Sequence, residues 1–150
     1  MFRIHLLFSL LLSLILFKYF NLNYIIFILV FAFSGILPDI DHSKSFIGRK
    51  FKILSLIINF IFGHRKLFHS LFFALIIAFI IKLFFNNYYI PFFFGYISHI
   101  ILDGLTIQGV YPLYPLKFRL NWIVKTNGII ERLFLILLII INIYTIIYIF

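Results

Sequence analysis

Residues 129–150 read IIERLFLILLIIINIYTIIYIF, and this apolar run is the clearest indication of the fold class. Glu131 and Arg132 stand near its start, and residues 133–150 carry no charged side chain. An α-helix rises about 1.5 Å per residue, so about 20 apolar residues cross the roughly 30 Å hydrocarbon core of a bilayer. The run is therefore predicted to be a membrane-spanning helix.

The composition of the whole chain supports the same interpretation. Of its 150 residues, 65% are hydrophobic, 22% are aromatic and only 11% are charged, with a mean hydropathy of +1.19. A soluble domain of this length exposes too much surface to hide such a composition. We therefore expect an all-α integral membrane protein, with residues 1–150 forming a single membrane-embedded domain.

Four further apolar segments are predicted to span, and local signals mark their ends. Pro38 stops the second segment, the Asn86-Asn87 pair stops the third, and Pro91 suits the first turn of the fourth. The first segment is an apolar run after a basic residue, Arg3, as in a signal peptide. It lacks a small-residue cleavage site, so we expect it to be a retained helix. The five predicted spans are residues 4–20, Tyr24–Leu37, Leu67–Phe85, Ile90–Leu105 and Ile129–Phe150.

Two other stretches are predicted to lie at the membrane surface. Ile53–Phe62 would reach only about 15 Å as a helix, half of the hydrocarbon core, so we expect an interfacial or re-entrant helix. Tyr111–Trp122 mixes aromatic and basic residues and is expected to anchor at the interface or to cover a site there as a lid. The prediction is therefore about five transmembrane helices plus one short interfacial or re-entrant helix.

The basic residues predict the orientation. If the N-terminus is inside the cell, every Lys and Arg falls on the inner side except Lys18 and Lys82. This is the positive-inside signal, and it would be scrambled if Ile53–Phe62 crossed the membrane. We expect a multi-pass protein of the cell membrane with a cytoplasmic N-terminus and an outside C-terminus. The formal net charge of +9 reports this orientation, and no nucleic-acid partner is expected.

All five histidines and all four acids fall at the inner ends of the five predicted spans. Polar residues favour helix ends anyway, which would explain any one of them. The outer ends carry none, so the set as a whole indicates a functional site on the cytoplasmic face. The nine residues are His5, Asp39, Asp41, His42, His64, His69, His99, Asp103 and Glu131.

The spacing of these residues adds detail. His99 and Asp103 are four residues apart and share one face of a helix. Asp39 and Asp41 are two apart, so in an extended segment both carboxylates would face one side. A turn or a cap before the following basic segment would use the same residue types. The spacing is therefore compatible with two acidic ligands but does not exclude a purely structural role.

A metal at this site would be held by oxygen and nitrogen, because the chain has no cysteine. Mixed carboxylate and imidazole ligands suit Zn, Mn or Fe better than Mg. The candidates outnumber the ligands of one ion, so two ions are an open alternative and some residues would only orient ligands. His64 and His69, five apart, do not share a helix face, so His64 is predicted before the third span and His69 in its first turn.

Three motifs resemble a known family. Leu37-Pro-Asp-Ile-Asp-His42, His64-Arg-Lys-Leu-Phe-His-Ser70 and Gly95-Tyr-Ile-Ser-His-Ile-Ile-Leu-Asp-Gly-Leu-Thr-Ile-Gln-Gly109 are similar to motifs of the predicted membrane-bound metal-dependent hydrolases. That group includes LexA-regulated inner-membrane proteins. The resemblance covers nearly the whole chain and implies a membrane fold, a divalent metal ion and a hydrolytic reaction.

The chain departs from the family's pattern at a few positions. Ile4-His5 keeps only the histidine of a Thr-His pair, and Lys66 and Phe68 replace a glycine and a threonine of the second motif. Thr126–Glu131 resembles a Thr-Gly-Ser-x-x-Glu element with two substitutions. The ligand types survive every departure.

The resulting hypothesis is a metal-dependent hydrolase at the cytoplasmic membrane surface. Asp41 or Glu131, if not bound to metal, is the candidate general base, and Arg65 is the candidate phosphate clamp. The expected ligands are Asp39, Asp41, His69, His99 and Asp103, with His5, His42 and His64 as further ligands or as partners that orient them. A phosphoester of a lipid or lipid-linked substrate is the first choice, with amides and carboxylic esters left open.

A basic loop stands beside these residues and has two interpretations. It would attract an anionic lipid or headgroup, although topology signalling alone would also explain its charge. Its members are Lys44, Arg49, Lys50, Lys52 and Lys66.

Two other functions remain open. A metal or proton transporter needs polar groups through the bilayer, and the outer halves of the spans offer little beyond Ser13, Ser34 and Asn142. A non-enzymatic scaffold would use the metal only to tie the helix ends together, in a closed site. The oligomeric state is not predicted.

Overall fold

Seven α-helices form the structure across residues 1–149, the part of the chain that this computed structural model describes. The helices are α1 (Phe2–Leu16), α2 (Tyr24–Ser34), α3 (Phe46–Lys50), α4 (Lys52–Phe62), α5 (Leu71–Phe85), α6 (Tyr89–Gly104) and α7 (Ile129–Ile149). Within this range, four helical segments are long and apolar enough to cross a membrane: Phe2–Tyr19, Tyr24–Asp41, Leu71–Gly104 and Ile129–Ile149. The predicted all-α membrane fold is confirmed.

The third of these segments folds back on itself. A 3₁₀ turn, Asn86–Tyr88, separates α5 from α6. The hydroxyl of Tyr96 in α6 donates to the carbonyl of Phe68, just before α5, at 2.6 Å. The two helices are therefore antiparallel, and each of the five predicted apolar segments contains a helix. Phe150, predicted as the last residue of the fifth span, lies outside the described residues.

The end of α2 differs from the prediction. The helix ends at Ser34 rather than Leu37, and a 3₁₀ turn covers Leu37–Asp41. Pro38 stands at the start of this turn, where its missing N–H and fixed φ are tolerated. Asp39 and Asp41 therefore lie on a 3₁₀ turn and not in an extended segment, which would have put both carboxylates on one side.

The start of α5 also differs. Ser70 caps the helix, its hydroxyl accepting from the N–H of Phe73 at 3.2 Å. His69 belongs to a 3₁₀ turn, Leu67–His69, that precedes the cap, so its predicted place inside the first turn of the helix is wrong. His64 precedes both, as predicted.

Close backbone contacts hold the bundle around α6, which packs against α1, α2 and α5, while α7 packs against α1. A Cβ added to Gly95 of α6 would overlap the Ser34 hydroxyl and the Phe31 carbonyl of α2. Small residues of this kind allow close helix packing in membranes, where the hydrophobic effect contributes little between helices. This contact determines how α2 and α6 are positioned relative to each other along their axes.

The short helix α4 lies where the interfacial helix was predicted. Its eleven residues correspond to about 16 Å. Ser55 and Ile58 are buried, whereas Ile53 and Phe60 point outward with 77% and 92% of their surface exposed. The side chain of Asn59 donates to the Asp41 carbonyl at 2.8 Å, which ties α4 to the turn after α2. The unpredicted helix α3 precedes it.

Candidate metal centre

The N-terminal ends of α1, α5 and α7 meet the C-terminal ends of α2 and α6 at one end of the bundle. This meeting follows from the alternating direction of the helices. Six residues from four of these ends form what we call the histidine–aspartate cluster: His5, Asp39, Asp41, His69, His99 and Asp103. All are buried except Asp39, whose side chain is 17% exposed.

Short distances join the ligand atoms of the cluster. Asp103 lies at its centre, with Oδ1 3.2 Å from His5 Nε2 and Oδ2 3.3 Å from His69 Nε2. The Nε2 atoms of His69 and His99 are 3.2 Å apart. Among residues 1–149, two groups have ligand atoms within 4.8 Å of one another and could hold a metal ion: His5–His99–Asp103 and Asp39–His69–His99.

His99 is oriented by the end of α2. Its Nδ1 lies 2.9 Å from the Gly35 carbonyl, to which it can donate only when Nδ1 carries the proton. That tautomer leaves the lone pair of Nε2 facing the cluster, 3.7 Å from Asp103 and 4.0 Å from Asp39. The ring of His5 stacks on the His99 ring with centroids 3.9 Å apart. A second partner of this kind is typical of metal-ligating histidines.

Several buried polar atoms of the cluster lack a hydrogen bond of good geometry. They are both carboxylate oxygens of Asp103 and the Nδ1 atoms of His5 and His69. Buried polar atoms are usually hydrogen-bonded, so this concentration is unusual. Carboxylate and imidazole donors together are also the ligand set that Zn, Mn and Fe accept. The residues present therefore fit a divalent metal ion.

The pKa values of the two histidines beside the spans respond to this environment in opposite directions. Burial disfavours the charged form of His69, but the carboxylates of Asp103 and Asp41 close to its ring outweigh the effect of burial and raise the pKa to about 9. For His42, partial burial and then the neighbouring His64 lower the pKa. Protons and metal ions compete for the same imidazole nitrogens.

Asp41 links the cluster to the predicted second motif. Its Oδ1 is 2.8 Å from His64 Nδ1, and its Oδ2 accepts from the Arg65 N–H at 2.9 Å and lies 3.2 Å from His69 Nδ1. The His42 ring stacks on the His64 ring at 4.5 Å. Eight of the nine predicted histidines and acids thus form one continuous set of contacts.

Glu131 lies apart from that set. Its Oε1 is 3.2 Å from the N-terminal nitrogen of Met1, and its Oε2 accepts from the Asn127 N–H at 2.5 Å. It stands in the first turn of α7 and lines the same open cleft as Asp39 and His64. The general-base role of Glu131 stays a prediction.

Arg65 reaches into the cluster. One nitrogen of its guanidinium, Nη2, is 3.1 Å from Asp103 Oδ2. The other, Nη1, donates to Thr106 Oγ1 at 3.1 Å and to the Gly109 carbonyl at 3.2 Å. Thr106 and Gly109 were not predicted as site residues. Both belong to the third motif, and the continuation of this motif beyond Asp103 is the sequence signal that could have indicated them.

A cleft of about 880 Å³ opens beside the cluster. Asp39, His42 and His64 line it together with Glu131. Five basic side chains also line the cleft: Arg3, Lys44, Arg49, Arg65 and Arg132. Arg3 and Arg132 were not among the basic residues predicted to attract a substrate, whereas Lys50, Lys52 and Lys66 of the predicted basic loop are absent from the lining. A cleft with this charge favours anionic ligands.

Comparison with known proteins gives a consistent set of relatives. A family profile described as YdjM inner membrane protein matches residues 1–150. The uncharacterized protein YvsG of Bacillus subtilis (strain 168) is 41% identical over 113 residues, which cover 69% of this chain and 68% of that protein. The inner membrane proteins YdjM of Escherichia coli (strain K12) and Shigella flexneri are each 43% identical over 103 residues, covering 62% of this chain and 52% of theirs. The aligned part therefore spans about half the length of the two YdjM proteins. No solved structure matches the chain significantly.

Proposed function

The chain belongs to the YdjM inner membrane protein family, and we propose that it is a membrane-bound metal-dependent hydrolase acting on phosphoesters of lipids or lipid-linked substrates. Residues 1–150 act as one domain in this proposal. One observation carries it: the centre of the buried cluster is Asp103, whose two oxygens lack a good hydrogen bond, and an open basic cleft lies beside it.

The residues that would hold the ion are His5, Asp39, His69, His99 and Asp103. A divalent ion supplies two things to hydrolysis, a lower pKa of bound water and polarisation of a phosphoryl oxygen. One ion is favoured over two, because both candidate groups share His99, whose Nδ1 is already used by Gly35. One divalent charge plus Arg65 also balances the three carboxylates of the cluster.

The remaining polar residues orient and support this centre. Asp41 holds His64 and His69 through its two oxygens, and Arg65 positions Asp103 from the other side. The role of Asp41 is therefore better described as orienting than as general base, and Glu131, which lines the cleft without joining the cluster, is the better candidate base. Arg3, Lys44, Arg49 and Arg132 would attract the phosphate group.

The proposed orientation has the N-terminus and the cluster on the cytoplasmic side and the C-terminus outside. The positive-inside bias supports it, since Lys18 lies at the far end of α1 and Lys82 at the far end of α5. The basic cleft would then face the headgroups of the cytoplasmic leaflet, which contains the anionic lipids.

The transporter and the scaffold receive less support. Ser13 and Asn142 donate to backbone carbonyls of α1 and α7, and Ser34, expected in an outer half, is the last residue of α2 beside the cluster. These contacts leave few polar groups for an ion path. A purely structural metal site is closed, whereas Asp39 and His64 line an open cleft.

The test combines metal analysis with hydrolysis assays on the detergent-purified protein. We expect stoichiometric Zn, Mn or Fe and hydrolysis of at least one compound in a panel of phospholipids and soluble phosphoesters. His99→Ala and Asp103→Ala should weaken metal binding by more than about 100-fold, because outer partners of ligands alone contribute about 10- to 100-fold. Ser98→Ala is the matched control, since Ser98 is buried beside His99 and bonds only to the Gly95 carbonyl. Metal-free protein, or ligand variants that hydrolyse like the wild type, would overturn the proposal.

A further inference from the structure

An apolar groove of about 160 Å³ lies beside the basic cleft. Its walls come from α1, α6, α7 and the loop after α6. The apolar residues that line it are Ile4, Leu102, Leu105, Val124, Ile130 and Phe134. Groove and cleft share Met1, Ile4 and Glu131 as lining residues, so the two spaces adjoin.

The floor of the groove is formed by residues that directly precede candidate metal ligands in the sequence. Ile4 precedes His5 on α1, and Leu102 precedes Asp103 on α6. Successive residues of an α-helix point about 100° apart, so one of each pair faces the groove while its neighbour faces the cluster. Because His5 and Asp103 are 3.2 Å apart, the groove runs directly behind a pair of candidate ligands.

One side of the groove is open toward the outer surface of the bundle. Ile4 and Leu102 are buried at 3% and 5% exposure and form the floor, whereas Leu105 and Ile130 are 42% and 57% exposed and form the rim. These rim residues stand at the ends of membrane-spanning helices, where the boundary of the bilayer is expected. A hydrocarbon chain can therefore enter sideways from the bilayer.

We infer that the groove holds a hydrocarbon chain of an anionic phosphoester lipid while the basic cleft holds the phosphate of its headgroup. The inference rests on the proposed function and specifies its substrate class. Charge complementarity supports it, because the five basic side chains of the cleft adjoin a groove whose lining is almost entirely apolar. Since the bilayer is itself apolar, the main effect of the groove is to align the headgroup with the cluster rather than to attract the chain.

The experiment measures binding by native mass spectrometry of the purified protein with two probes. Dioleoyl phosphatidic acid carries phosphate and chains, whereas glycerol 3-phosphate carries the phosphate alone. The readout is the ratio of the two affinities. We expect the wild type to prefer the lipid, and Ile130→Trp to lower the ratio by about tenfold because the larger side chain fills the groove mouth.

Two further variants complete the design. Leu105→Trp fills the mouth from the opposite rim and should lower the ratio in the same way, which protects the test if one variant folds poorly. Leu133→Trp is the matched control, since Leu133 is an exposed leucine of α7 that does not line the groove, and it should keep the wild-type ratio.

Equal affinities of the wild type for both probes, or an unchanged ratio in both rim variants, would overturn the inference. Turnover is not needed for these measurements, so the two proposals can fail separately. An active hydrolase with an unchanged ratio has no chain site in the groove. A metal-free, inactive protein whose ratio falls in the rim variants binds lipid in the groove but is not a hydrolase.

Discussion

Buried polar side chains are hydrogen-bonded differently in the middle of the bundle and at the end that holds the cluster. In the middle, Ser13 donates to the Leu10 carbonyl at 2.6 Å, and Asn142 donates to the carbonyls of Leu138 and Leu7 at 2.8 and 3.1 Å. At the cluster end, Asp103 is surrounded by histidine and arginine nitrogens but has no hydrogen bond of good geometry. Polar groups inside a membrane must be satisfied internally. In the middle of the bundle, Asn142 leaves one buried oxygen, Oδ1, without a partner, whereas at the cluster end four such atoms lie together on His5, His69 and Asp103. This concentration, rather than a single unpaired atom, points to a ligand.

The largest expected effect is a difference in chemical labelling between the cluster end and the opposite end of the bundle, because the two ends are proposed to face opposite sides of the membrane. The chain has no cysteine, so single cysteines can be introduced by Lys117→Cys in the loop after α6 and Asn87→Cys in the turn between α5 and α6. Both positions are exposed. A membrane-impermeant maleimide should label the Asn87→Cys protein in intact cells and the Lys117→Cys protein only after the membrane is opened. The reverse pattern would place the cluster outside and contradict the proposed orientation.

An intermediate effect is expected within the cluster end. Asp41→Asn keeps the size of the side chain but removes the charge that holds His64 and His69. Metal affinity should fall by about 10- to 100-fold, which is the usual effect of removing a partner that orients ligands. Competition with a metal indicator measures it. Ser55→Ala, which removes a buried hydroxyl of α4 without touching an acid, is the control. A wild-type metal affinity in the Asp41→Asn protein would show that the acid does not support the centre.

The smallest effect is expected in the middle of the bundle. Asn142→Leu removes the contact between α7 and the Leu7 carbonyl. Such hydrogen bonds in membrane proteins contribute about 0.6 kcal/mol on average, so thermal unfolding in detergent should shift only slightly and metal content should not change. Ser13→Ala is the control, since this hydroxyl bonds within its own helix and links no second helix, and the variant should unfold at nearly the wild-type temperature. Loss of metal from the Asn142→Leu protein would instead make the middle of the bundle part of the site.

Much of the fold was predictable because it depends on local patterns. Hydropathy located each apolar segment. Ile53–Phe62 is too short to span a bilayer, and it forms most of the short helix α4. The errors lie at helix ends. The apolar residues that continue up to Pro38 predict Leu37 as the end of α2, but the helix stops at Ser34. The apolar pattern predicts His69 inside α5, whereas Ser70 caps the helix and starts it after His69.

The candidate site was predictable as a set but not as an arrangement. The alternation of spans was enough to bring the histidines and acids to one face, and eight of the nine are in contact there. The ninth, Glu131, pairs with Met1 and Asn127, which no spacing rule could indicate. Arg65 was expected to reach toward a phosphate, yet its guanidinium pairs with Asp103 and is held by Thr106 and Gly109.

The amino-acid sequence alone is enough to predict the membrane environment, the number of apolar segments and the identity of the polar residues that share one end of the bundle. Hydropathy, length and charge bias are properties of the chain and need no contacts. The packed helices were needed to show which nitrogen of His99 faces the cluster, which acid lies at its centre, and that an apolar groove runs behind His5 and Asp103. These features depend on how closely α2 meets α6 at Gly95 and on the loop after α6, and such distances arise from packing between segments distant in sequence.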